Sequence, residues 1–382
     1  MVTILIEALI PKSEFVGLEK TTNLCAGGES PMLTSHRQVI EQFMIDKSRG
    51  EPSRQLEMDR VDQARDKCAR LFSVDRQEIT FLSNASEGIN NVAYGLDWKA
   101  GDNVVIADVE FPSGILPWTR LEPQGVEIRV VKNKNWFIEL DDIAALIDAR
   151  TRIVAISHVS MYTGQRLELE ALSSLVRSSN ALLLLDATHA AGVVPVDARL
   201  ADIMVSSCYK WLLGVHGAAV FFVNRERLPD FVPPFLGWQS PASHGGWQQP
   251  TRFDLQSTAH QFQPGNFGFI SVYVLDNALD HLLKIGIENI ESHALALSGQ
   301  LYEAVDALGF ELMTPAAPRQ RAGNICFLAD DLESIIKQLD RRQVLIWGAY
   351  AGFDRLRIST HLYNDSDDVE RCIEALQQAR GV

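Results

Sequence analysis

Cysteine is scarce in this chain: five residues among 382, with no CxxC pair. That count argues against a disulfide framework or a zinc knuckle, so no metal is expected, and it fits a reducing, cytoplasmic setting. Positive charge is short as well. Lys and Arg total 35 against 49 Asp and Glu, a formal charge of −14 that disfavours nucleic acid or an anionic membrane surface as a partner. No stretch approaches the roughly 20 apolar residues needed to span a bilayer. The opening MVTILIEALI is apolar but short, carries Glu7 and has no basic leader, so it does not read as a signal peptide. No G-x-G-x-x-G follows a strand-like run, and G-x-x-x-x-G-K-[ST] is absent, which argues against a nicotinamide dehydrogenase and a P-loop enzyme. Internal repeats and low-complexity tracts are also lacking.

What is present is the composition of a globular enzyme, 46% hydrophobic and 22% charged. Short β-rich runs recur at EITFLS, NVVIAD, IRVV, RIVAIS, LLLLD, IMVSS and AAVFFV, with helix-like segments such as LDDIAALIDA and ELEALSSLVRSS between several of them. This alternation predicts an α/β fold, a mostly parallel sheet covered by helices on both faces. Between Pro229 and Pro264 the pattern gives way to PPF, GWQSP, HGGWQQP and QPGN, a long loop region. After it come the helix ISVYVLDNALDHLLKIG, a second helix, the strand NICFLA, the helix DLESIIKQLDRR, the strand LRIST and a last helix from Asp367. These elements predict a smaller α+β C-terminal domain. The expected organisation is an N-terminal segment (1–30), a large domain (31–255) and a small one (256–382).

In parallel α/β sheets ligands bind at the carboxyl ends of the strands, so the residues just past each strand are the informative ones. Asn84-Ala85-Ser86-Glu87-Gly88 leads into a helix and reads either as a phosphate cradle or as an ordinary N-cap. RIVAIS is followed by His158 to Gly164, LLLL by Asp186-Ala187-Thr188-His189, and IMV by Ser206-Ser207-Cys208-Tyr209-Lys210. A lysine between two apolar runs either snorkels to water or does chemistry in a pocket. Alone, Asp186 could be a cap and His189 a satisfied core histidine. With Lys210, 24 residues beyond Asp186, they meet one demand. Pyridoxal phosphate needs a lysine for its Schiff base, an acid for its ring nitrogen, an aromatic face and a phosphate cradle.

The segments SNASEGINN, GDNVVIADVEFPSGILPW, LLLLDATHAAGVVPVD and SSCYKWLLGVHG resemble the class V aminotransferase group of fold-type I pyridoxal phosphate enzymes. That group includes cysteine desulfurases, kynureninases and isopenicillin N epimerase, and the resemblance runs from GGESPML to LRISTHLYNDSDDVERCIEAL. It implies that Lys210 carries the cofactor, Asp186 pairs with the ring nitrogen, His189 sits near the ring's phenolic oxygen and Phe111 stacks on the ring. It further implies that Ala85, Ser86, Ser207 and Tyr209 hold the phosphate, that Thr163 lies at the cofactor, and that Arg357 and Gly28 meet the amino-acid substrate. The resemblance also implies a homodimer with shared sites, in which Gly265 and Asn266, in the turn Gln263 to Asn266, lie across the interface.

Three departures stand out. Phe111 occupies a position where many relatives carry histidine, so stacking survives without an acid–base group. Met161 stands where many carry asparagine and removes a hydrogen bond. The stretch IWGAYAGFDRLRIS contains no cysteine, whereas desulfurases carry their sulfur-accepting cysteine there. Cys326 and Cys372 read as core residues, while Cys25 and Cys208 lie nearer the site. A persulfide relay is therefore disfavoured, and the lead reading is β-elimination from a cysteine-like amino acid. Transamination is the alternative, followed by epimerisation and by a cofactor-free scaffold.

Overall fold

The computed structural model describes residues 5–242, 253–348 and 354–381. Its centre is a seven-stranded sheet. In chain order the strands are β1 (Ile79–Leu82), β2 (Asn103–Ala107), β3 (Glu127–Val131), β4 (Thr151–Ser157), β5 (Leu182–Asp186), β6 (Ile203–Ser207) and β7 (Ala219–Val223), and across the sheet they run β1-β7-β6-β5-β4-β2-β3. Only β7 runs against the others, pairing antiparallel with β1 and β6. The predicted alternation of strands and helices is what the chain folds into. Strands β1, β2, β6 and β7 are buried at every position. Such continuous apolar runs mark strands covered on both faces.

One face packs into a core that includes Val105, Val154, Leu183, Leu185 and Met204, the other into one built from Val104, Ile153, Leu184, Val205 and Phe221. Helices α1 (His36–Lys47), α2 (Ser53–Phe72) and α3 (Ala85–Gly95) precede or cross the sheet. The long helix α4 (Phe269–Ile285) buries Val272, Leu275, Leu279 and Leu282 in the first core, alongside Val61 and Cys68 of α2. A third core gathers Leu297, Leu301, Ile325, Phe327, Leu356 and Ile358. It lies under a four-stranded antiparallel sheet whose central strands are β8 (Asn324–Leu328) and β9 (Arg355–Ser359).

Residues near the N-terminus are stitched to this second sheet region. Thr22–Asn23 pairs in parallel with Val344–Leu345, and Leu24 joins the third core. Ser359 N–H donates to Leu24 O at 2.8 Å, which sets residues 25–30 between the two sheets. Among the described residues, no helix is long and apolar enough to cross a membrane.

Candidate active site

Lys210 stands just past the end of β6, on a tight turn. The turn is closed by Leu213 N–H to Lys210 O (3.0 Å) and Gly214 N–H to Cys208 O (2.8 Å). Leu213 adopts a left-handed backbone, φ 57°, a cost of about 1–2 kcal/mol for a non-glycine residue. Complete burial of the Leu213 side chain offsets it. The Ser30 hydroxyl donates to Lys210 O from the N-terminal side. The lysine's stem is thereby fixed, and the residue is only 9% exposed. Burial, then the nearby Arg357 charge, draws the pKa of its amine down to about 8. A buried cation is costly, and a falling pKa is how a lysine relieves that cost.

The neighbouring strand ends converge on the same amine. His189 Nε2 lies 3.2 Å from Lys210 Nζ, and the Phe111 ring centroid lies 5.8 Å from it. Close approach of the His189 and Lys210 loops requires Gly192. At its φ of +95° a Cβ would fall 2.3 Å from Trp211 O. Asp186 ends β5 and accepts the Thr188 N–H at 2.8 Å; burial pushes its carboxyl pKa up, and the Thr188 bonds and Lys210 charge counter this. The first turn of α3 faces the same space. Asn84 caps it by accepting Glu87 N–H (2.9 Å), Ala85 N–H donates to Ser207 Oγ (3.4 Å), and Ser86 and Ser113 hydroxyls meet at 2.6 Å. These groups line a cavity of about 250 Å³, together with Ser157, Val159, Met161 and Tyr209. Tyr209 stacks on His216, ring centroids 3.9 Å apart and 19° from parallel.

A buried lysine therefore faces a histidine, an aromatic ring and a strand-end aspartate, with a helix N-terminus opposite. The family model of aminotransferase class-V matches residues 46–372. The chain belongs to the class V aminotransferase family.

Among class V relatives, the chain is 26% identical over 375 residues to a "Probable cysteine desulfurase" of Methanothermobacter thermautotrophicus, covering 92% of each chain. It is 28% identical over 336 residues to a cysteine desulfurase of Salmonella choleraesuis, with 83% of this chain and 81% of that protein covered. Its fold matches the cysteine desulfurase of Thermococcus onnurineus at a TM-score of 0.88 and 22% identity, over 97% of this chain and 98% of that one. It also matches the cystine C–S lyase C-DES, solved with its product cysteine persulfide, at a TM-score of 0.86 and 22% identity, over 95% and 98%.

Eight of the residues singled out in the sequence share the cavity wall: Ala85, Ser86, Phe111, Asp186, His189, Ser207, Tyr209 and Lys210. Thr163 does not. It is fully buried with its hydroxyl accepting Gln165 N–H (3.1 Å), and Met161 forms the wall instead. Arg357 lies just behind that wall, its Nη1 donating to Met161 O at 3.2 Å, and Gly28 backs onto the Trp347 ring. Gly265 and Asn266 line a different cavity of the same chain, near Glu87 and Gly217, and Asn266 Oδ1 accepts from Arg54 (2.9 Å). The middle of the cysteine-free stretch, residues 349–353, is outside the described residues.

Several partners escape a reading of strand ends. Asn324 contacts His189 Nδ1 at 3.1 Å from the first position of β8, a central strand of the second sheet. Arg355 donates to Tyr162 O (2.7 Å) and stacks over the Tyr162 ring at 4.5 Å. Glu110 accepts both Ser157 N–H (2.7 Å) and Ser157 Oγ–H (2.5 Å), and burial raises its carboxyl pKa to about 7. Glu110 is visible in the motif VEFPS, yet only these hydrogen bonds across to β4 reveal that it holds the Phe111 loop to the sheet.

Proposed function

We propose that this chain is a pyridoxal phosphate enzyme that cleaves a cysteine-like amino acid by β-elimination, without a persulfide carried on the protein. The observation that carries the reading is the Lys210 amine, buried beside His189 and Phe111 with a pKa near 8. The residues present fit this cofactor. The α3 N-terminus with Ser86 and Ser207 offers donors for a phosphate. Phe111 offers a ring face. The buried Asp186 carboxyl, whose pKa burial raises, is suited to a cation such as a protonated pyridine nitrogen.

When bound, pyridoxal phosphate joins the substrate amine through its aldehyde carbon and withdraws electrons from Cα. The protein's share follows from position. Lys210, neutral above a pH of about 8, takes the α-proton at Nζ. Asp186 holds negative charge at the ring nitrogen. Arg357, behind Met161, anchors the substrate carboxylate, a role suited to a guanidinium fork. No thiol is poised to accept sulfur among the described residues. All five cysteines are buried, and burial pushes Cys25, Cys208 and Cys372 up to about 12. The cysteine persulfide product of C-DES is in keeping with a C–S lyase that releases its sulfur on a small molecule.

The reaction type is tested by mixing the holoenzyme with a panel of amino acids, S-substituted cysteines included, and no 2-oxo acid. Sustained release of pyruvate and ammonia with an unchanged cofactor spectrum is the expected result. Conversion of the cofactor to its amine form, with turnover restored only by added 2-oxo acid, establishes a transaminase instead.

A homodimer belongs to the same proposal. Leu236 and Trp238 are 50% and 43% exposed, and Gly237 between them abuts Pro264 O in the turn that holds Gly265 and Asn266. Exposed apolar side chains beside a turn that lies outside the Lys210 cavity are accounted for by a second copy. Sedimentation of the holoenzyme is expected to give twice the chain mass; an active, cofactor-loaded monomer refutes the shared site.

A further inference from the structure

We infer that Asn324 positions His189 as its Nε2–H tautomer and thereby keeps the Lys210 amine in its neutral, nucleophilic form, an inference that rests on reading Lys210 as the reacting amine. Three hydrogen bonds make an uninterrupted chain from the second sheet to the lysine. Ser359 Oγ–H donates to Asn324 Oδ1 at 2.8 Å. Asn324 Nδ2 faces His189 Nδ1 at 3.1 Å, and His189 Nε2 faces Lys210 Nζ at 3.2 Å. Asn324 and Ser359 have no exposed surface, so water does not substitute for the bonds behind His189, and only the His189–Lys210 end of the chain borders the cavity.

The direction of the chain follows from the amide. Gly27 presses against it: a Cβ there would fall 2.7 Å from both Asn324 Oδ1 and Ser359 Oγ, and 3.3 Å from Arg357 Nε. The amide oxygen and the Arg357 guanidinium thus border the same small space in front of Gly27, and the Ser359 hydroxyl bond holds the oxygen there. Rotating the amide would turn its NH₂ toward that positive group, an unfavourable exchange in a buried place. With Nδ2 directed at the imidazole, Nδ1 must accept, and the ring proton resides on Nε2. An Nε2–H needs an acceptor, and a neutral lysine has one lone pair to give. An ammonium there would set N–H against N–H. The other charges bearing on the pair act alongside: Arg357 disfavours the ammonium, Asp186 and Glu29 favour it, and Arg357 and Arg355 both disfavour a protonated His189. Strand pairing places Asn324 opposite Ser359, so the second sheet sets a proton position in the first.

The test uses protein freed of cofactor, so it stands apart from whether Lys210 binds one. Long-range ¹⁵N–¹H NMR on histidine-labelled protein, with His189→Gln identifying the signal, is expected to show the Nε2–H form. Competitive acetylation with acetic anhydride against pH, read by mass spectrometry on the Lys210 peptide, gives the amine's pKa. Asn324→Asp places an acceptor at Nδ1, and is expected to move the proton to Nδ1 and raise the Lys210 pKa by about one unit or more. An Nδ1–H signal in the parent protein overturns the inference. So does a folded Asn324→Asp protein whose Lys210 pKa is unchanged. Should that variant not fold, the parent spectrum alone decides. Loss of the cofactor–lysine bond, by contrast, would count against the proposed function and leave the tautomer result intact.

Discussion

Replacing Lys210 with alanine is expected to lower turnover by a thousandfold or more and to leave the cofactor held by noncovalent contacts only. The size follows from the work given to one amine. A positioned general base alone contributes about 10²–10⁴-fold, and the proposed function gives Lys210 the covalent tie as well. In the parent protein, borohydride reduction followed by peptide mapping is expected to place the cofactor on Lys210 and on no other lysine. The pH dependence has a definite sign. Because burial lowers the pKa to about 8, labelling of the free amine should rise about tenfold per pH unit below 8 and level off above it. A label on another lysine, or an alanine variant with near-parent turnover, removes the basis of the site.

The second large effect belongs to Asp186. Asparagine keeps the shape and can still accept the Thr188 N–H (2.8 Å in the parent), but it cannot carry negative charge. A lost hydrogen bond to a charged group costs roughly 1.5–3 kcal/mol, so turnover should fall by at least about ten- to a hundredfold. Cofactor binding should persist through Lys210 and the α3 end, visible as a retained absorbance band. That split between retained binding and lost turnover is the diagnostic. Turnover within a few-fold of the parent would mean that the ring nitrogen does not depend on this carboxylate.

The strands that carry Asp186, Ser207 and the Lys210 turn were legible because they are buried on both faces. Mostly apolar runs fill that environment, and the polar residues ending each run then stand out. Helices α1 and α2 were not legible for the opposite reason. In SRQLEMDRVDQARDKCARLF the chain buries Glu57 and Arg65 along with Val61, Ala64, Cys68 and Phe72. Arg65 is accommodated by its ion pair to Asp62 (2.9 Å) and its place over the Phe267 ring. Charges on the inward face blur the apolar period that would reveal the helix. LDDIAALIDA shows the converse, an apolar period that yields only the short helix Leu140–Ala144. Thr163 is instructive in the same way. Its motif position pointed to the cofactor, yet the turn closed by Gly164 N–H to Ser160 O (2.9 Å) directs its hydroxyl to Gln165. Asn324 and Arg355 could not be found from the carboxyl ends of the strands, since they open strands of another sheet. Only folding brings Asn324 to His189, across 135 positions of sequence.

The pairing of Thr22–Asn23 with Val344–Leu345 also fixes the order in which the molecule can be completed. Ile6 N–H reaches Ser366 Oγ (2.8 Å), and Leu9 N–H reaches Leu362 O (2.8 Å). During synthesis the early segment therefore waits, with its strand partner unmade, until Val344–Leu345 and Ser366 have emerged. The central sheet, closed once residue 223 has emerged, can form well before then. Ser30 and Gly27 are delivered to the Lys210 turn and to Asn324 only when this last clasp shuts. Such non-local closure is the slow part of folding, because chain entropy is lost before the contact repays it. The surroundings of Lys210 are thus the last part of the molecule to be completed, in time as well as in space.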